Sequence, residues 1–154
     1  MKVWLLTGSC AILPDADGLA FVFRVPHESM FSHRGITHSI FFAVLTGIAV
    51  AFLAFRKDGP VSKPRLAAYF SLATLTHPLL DMFTNGGSGV ALLAPLSDER
   101  FFFPWRPIEV SPIGLGFFSE RGLAVFASEL LWVWLPAGIV LAISMLIASR
   151  RPRP

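Results

Sequence analysis

The 154-residue sequence predicts an all-α membrane protein of about four transmembrane helices, the first short or truncated, with an interfacial aromatic and proline-rich loop. Three observations carry that prediction. Hydrophobic residues make up 54% of the chain and charged residues 15%, against about 45–50% and 25% in soluble domains. Mean hydropathy is +0.63, and the apolar residues gather into long runs. The Lys and Arg residues are sorted between the loops. With a single cysteine, Cys10, a disulfide scaffold is excluded.

The length fits one integral membrane domain over residues 1–154, with helices near 2–13, 38–55, 64–83 and 123–148. Val3 to Leu13 is apolar for only 11 residues before Pro14, short of the ~20 that span a bilayer. Lys2 and this run resemble the start of a signal peptide. However, Leu6-Thr7-Gly8-Ser9-Cys10 misses a lipoprotein cleavage site because Thr7 stands where an aliphatic residue is needed. His38 to Phe55 carries no charge after His38, and Leu123 to Ala148 carries only Glu129, so both are expected to span. Pro64 to Phe83 is a third span with His77 and Asp81 near one end, where ionisable groups are costly and usually functional. Asp98 to Arg121 alternates aromatics, prolines and charges, as an interfacial platform, lid or aromatic belt anchor does.

Four such segments put the chain ends and the loop from Arg56 to Arg65 on one side. That side holds Lys2, Arg56, Lys57, Lys63, Arg65, Arg150, Arg151 and Arg153; the other holds Arg24, Arg34, Arg100, Arg106 and Arg121. The side richer in Lys and Arg is expected to be cytoplasmic, so both termini face the cytoplasm. The pI near 9.6 then reports membrane orientation, and nucleic acid is not an expected partner.

Three stretches meet at the opposite interface: Leu13-Pro14-Asp15-Ala16-Asp17, Ser32 to Ser39 (SHRGITHS), and Thr76 to Asp81 (THPLLD). Taken singly, each has an ordinary structural explanation. Aspartates after a proline favour turns, an interfacial histidine snorkels, and a polar pair bonds neighbouring helices. Together they offer Asp15, Asp17, His33, His38, His77 and Asp81, a mixed imidazole and carboxylate set suited to Zn, Mn or Fe. His77 and Asp81 are four apart, about 40° on a helix, and can face one ion. His33 and His38 are five apart, about 140°, so one must lie in a loop, with Gly35 permitting the turn and Thr37 capping the next helix. Arg34 in that turn is a natural donor to a phosphate or carboxylate.

These residues resemble a bacterial family described as predicted inner-membrane metal-dependent hydrolases, some called LexA-regulated or LexA-binding membrane-associated hydrolases. The matching pieces are Leu-Pro-Asp-Ala-Asp at 13–17, His-Arg-Gly-Ile-Thr-His-Ser at 33–39 and His-Pro-Leu-Leu-Asp at 77–81, with Thr84-Asn85-Gly86 behind. Phe101 to Gly114 also looks like one branch of that family. The resemblance implies a small multi-helix protein of the bacterial inner membrane with a divalent metal and hydrolytic activity. It also implies a longer first helix with a further histidine, so this chain is expected to start where that helix is half over.

On this basis the six residues are the candidate metal ligands, and Arg34, Asp15 and His38 the catalytic candidates. A phosphoester or other lipid-linked bond is the expected target. An interfacial site implies membrane lipid as a partner and an amphiphilic or phosphorylated substrate. The rival from another class is a non-enzymatic membrane protein: a metal sensor or transporter, or a stress-response scaffold. Polar groups confined to one end of the spans disfavour transport.

Overall fold

The computed structural model describes residues 1–55, 59–112 and 114–150 of the chain. Arg56, Lys57, Arg151 and Arg153, which enter the charge comparison, lie outside the described residues, as does the tail beyond Arg150. The described chain is all-α apart from two isolated bridges, Thr84 with Ile108 and Val90 with Phe101. It divides into two compact units, residues 1–83 with 88–104 and residues 84–87 with 105–154.

In the first unit, α1 (Lys2–Ile12) leads into a 3-10 turn (Leu13–Gly18) and α2 (Leu19–Val22). The α-helix ends at Ile12, just before Pro14 as expected, but helical backbone continues through the 3-10 turn and α2, giving 21 residues, Lys2–Val22, long and apolar enough to cross a membrane. Pro14 sits in the first turn of the 3-10 segment, where the missing N–H has no intrahelical partner to lose. After an irregular stretch and a 3-10 turn (Ile36–His38), α3 (Ile40–Ala54) runs for only 15 residues, about 22 Å at 1.5 Å per residue. It is thus shorter than the apolar window from His38 to Phe55, because the chain turns at His38 and Ser39 before the helix begins.

Ser39, rather than Thr37, caps α3: its Oγ accepts the Phe42 N–H at 3.1 Å. α4 (Lys63–Asp81) continues through Pro78 to the residues that carry the chemistry. α3 and α4 pack along one another, with α1 against α4. The close approach of α3 to α4 requires Gly47, where a Cβ would collide with Ser71 and the Ala67 carbonyl. The segment 88–104 then lies along the turn ahead of α3: Ala91 N–H donates to the Arg34 carbonyl and Ile40 N–H to the Leu92 carbonyl, each at 3.0 Å.

In the second unit, the Asn85 N–H donates to the Ile108 carbonyl at 2.8 Å, and Asn85 Oδ1 accepts the Val110 N–H at 3.0 Å. A 3-10 turn (Gly114–Phe118) precedes α5 (Glu120–Glu129), a π turn (Leu130–Trp134) and α6 (Leu135–Ser149). These form 30 continuous helical residues, apolar and mostly exposed, long enough to cross a membrane. Trp105 and Trp132 meet edge to face with centroids 4.9 Å apart.

Candidate metal centre

All six candidate ligands fall in the first unit. Asp15 and Asp17 stand on the 3-10 turn after α1, His33 in the irregular stretch and His38 at the end of the turn before α3. His77 and Asp81 share the last turn of α4. The rings of His38 and His77 are 5.1 Å apart between centroids, and those of His33 and His38 are 5.6 Å apart. Two overlapping sets, Asp15 with Asp17, His33 and His38, and His38 with His77 and Asp81, each bring their ligating atoms within 4.8 Å of one another. His38 belongs to both and is fully buried.

Asp17 organises the loop. Its Oδ1 contacts His33 Nδ1 at 2.7 Å, and its Oδ2 accepts the Arg34 N–H at 3.1 Å and the Thr37 hydroxyl. Oδ2 also lies 3.1 Å from His38 Nδ1, the geometry by which a carboxylate fixes an imidazole's orientation and leaves its other nitrogen to a cation. The other nitrogen faces Asp81 and Asp15: His38 Nε2 is 3.2 Å from Asp81 Oδ2 and 3.6 Å from Asp15 Oδ1. His77 Nε2 is 3.2 Å from Asp15 Oδ1 and 3.8 Å from Asp81 Oδ2.

These short approaches are not hydrogen bonds: His38 Nε2 and His77 Nε2 are buried and make none. Buried polar atoms are rarely left so. Two imidazole nitrogens and two carboxylates paired at 3.2–3.8 Å without hydrogen bonds are a donor set that a divalent cation takes. Burial disfavours charge on His38, but the crowding carboxylates of Asp15, Asp17 and Asp81 outweigh it and push its pKa up to about 10. The same negative field that holds this proton would favour a cation. The centre opens on the Asp15 side, where the side chain is 54% exposed.

Arg34, the expected anion donor, is buried, and its Nη2 donates to Asp81 Oδ1 at 3.0 Å. Arg34 also takes the left-handed backbone (φ 62°) that the turn requires. Gly35 does not (φ −86°); it is needed for space, since a Cβ there would strike the Met30 carbonyl. Two features of the site escaped the sequence reading. Thr37 serves Asp17 instead of a helix, and Arg100, counted only as a loop charge, sends its guanidinium into the His33–Arg34 stretch.

No solved structure matches the chain. It is 43% identical over 142 residues to the inner membrane protein YbcI of Escherichia coli (strain K12), covering 92% of this chain and 80% of that protein. The family model described as YdjM inner membrane protein matches residues 1–152. The motifs at 13–17, 33–39 and 77–81, together with that match, show that the chain belongs to the YdjM inner membrane protein family.

Proposed function

We propose that the protein is a metal-dependent hydrolase of the bacterial inner membrane, acting on a phosphoester or another lipid-linked bond. The observation that carries this reading is the pair of buried imidazole nitrogens, His38 Nε2 and His77 Nε2, each within 3.2–3.8 Å of Asp15 and Asp81 and making no hydrogen bond. Asp15, His38, His77 and Asp81 would hold a divalent ion, Zn, Mn or Fe by ligand type, with Asp17 and His33 completing the set from the loop side. Such an ion supplies Lewis acidity, lowering the pKa of water toward ~7 and offsetting charge that develops on a reacting oxygen.

The protein's own groups do the rest. Asp17 fixes the orientation of the His38 ring, and Arg34 holds Asp81 Oδ1 so that Oδ2 points inward. Arg34 also places positive charge beside the centre for a substrate anion. Asp15, the most open of the ligand candidates, marks the side from which a substrate enters. Its neighbours Ile12 and Leu19 are exposed and apolar, which supports an amphiphilic substrate. Four spans with both termini and the loop near residues 56–65 in the cytoplasm would set the centre at the extracytoplasmic interface.

The test is hydrolysis of phosphorylated lipids by detergent-purified protein supplied with Zn, Mn or Fe. Turnover that His77→Ala abolishes supports the reading, and turnover equal in parent and variant refutes it. Metal bound at stoichiometry with no hydrolysis of any such lipid would favour a sensor.

A further inference from the structure

The residues from Phe23 to Gly35 carry His33, yet they form no regular helix or strand, and few of their side chains pack. Their backbone carbonyls turn inward instead. His27, Ser29, His33 and Arg34 all direct carbonyl oxygens at the guanidinium of Arg100, which donates to them over 3.1–3.4 Å. The same guanidinium donates to the buried Ser32 hydroxyl at 2.7 Å, and Ser32 in turn donates to the His27 carbonyl at 2.8 Å. From the other flank it donates to the Gly89 carbonyl at 3.2 Å and the Ser88 hydroxyl at 3.1 Å.

Carbonyl dipoles converging on one point repel unless a cation or a fan of donors stands there, and only arginine presents a planar fork able to serve several at once. One consequence falls on Arg34. Its left-handed backbone costs a non-glycine residue free energy and persists only where its surroundings fix it. Those surroundings are the Asp17 carboxylate on its N–H, and Arg100 and the Ala91 N–H on its carbonyl. His33 lies one residue before that constraint, and His38 follows it by four.

We propose that Arg100 is a positioning residue for the imidazole centre: its guanidinium is the internal cation around which the 27–34 loop is wound, and that winding aims His33 and His38. The effect on metal affinity rests on the metal-centre reading above, whereas the effect on the imidazoles does not. Lysine at this position keeps the charge and loses the fork, and because Arg100 stands in a loop, Arg100→Lys is expected to keep the helix content of the parent.

The test uses full-length protein in detergent with ¹⁵N-labelled histidine, four residues in all, recorded without metal and then with Co²⁺. In Arg100→Lys the His33 and His38 ring signals are expected to move and those of His77, anchored on α4, to stay. Affinity for Co²⁺ is expected to fall about 10–100-fold with an altered visible spectrum. In Arg100→Ala, added guanidinium is expected to return the two ring signals toward the parent positions. Unmoved His33 and His38 signals in both variants would overturn the proposal. So would displacement of His77 together with loss of helix content, which marks a general scaffold role. A parent that binds no Co²⁺ refutes the metal reading, while the metal-free ring signals still decide for or against Arg100.

Discussion

His38 touches more of the centre than any other residue described: Asp17 on Nδ1, and Asp15 and Asp81 on Nε2. A proton and a divalent cation therefore compete for the same nitrogen. With the His38 pKa pushed up to about 10, the metal-free imidazole is charged at neutral pH, and cation binding must expel that proton. Affinity is predicted to rise with pH, by about tenfold per unit between pH 6 and 8 for this one proton. Calorimetric titration with Zn²⁺ in buffers of different ionisation enthalpy reads the released proton directly. Asp17→Asn puts an amide where His33 Nδ1, the Arg34 N–H and His38 Nδ1 converge, and is predicted to weaken binding by about 10–100-fold with the helices intact.

The six candidate ligands were legible because each is a side chain of ligating type in a short motif, at spacings that helical geometry can interpret. Arg100 was not, since most of its partners are backbone carbonyls some 70 residues away in sequence, and a carbonyl has no residue type to read. The role of Thr37 was misread for a related reason: Asp17, which claims its hydroxyl, is brought to it by the fold.

Among the elements, α3 and α4 set the precision of the centre by carrying His38, His77 and Asp81 on a packed pair. Their contact depends on small residues, so Gly47→Leu is predicted to force the helices apart. That change should lower the thermal unfolding midpoint in detergent and reduce metal binding together. Ser39→Ala removes the cap of α3 and is predicted to cost about 1 kcal/mol in stability, measured by denaturation, with the ligand set unchanged. That cap had a visible signal, a serine immediately before the apolar run at Ile40, competing with Thr37 two residues earlier. The continuation of the first helix past Pro14 was harder to see. Proline ends a helix interior but is tolerated in a first turn, and only the backbone shows which applies.

For the whole molecule, family membership makes it an inner-membrane protein, and helical stretches at Lys2–Val22 and Glu120–Ser149 are long and apolar enough to cross. In the second of these, residues 130–149 include none that is buried, as expected of a helix facing lipid. The charge asymmetry predicts the orientation. In a Cys10→Ala background, a membrane-impermeant maleimide applied to intact cells should label Glu28→Cys, whereas Ser62→Cys should label only after the inner membrane is opened. The reverse pattern would put the centre on the cytoplasmic face.

Whether the converging nitrogens and carboxylates hold a cation decides the chemistry of the centre. Elemental analysis of the detergent-purified protein, beside His77→Ala and Asp81→Ala, asks this directly. Stoichiometric Zn, Mn or Fe in the parent, falling to background in both variants, is the predicted result. A folded parent that carries no divalent metal, even after reconstitution with each ion, would contradict it.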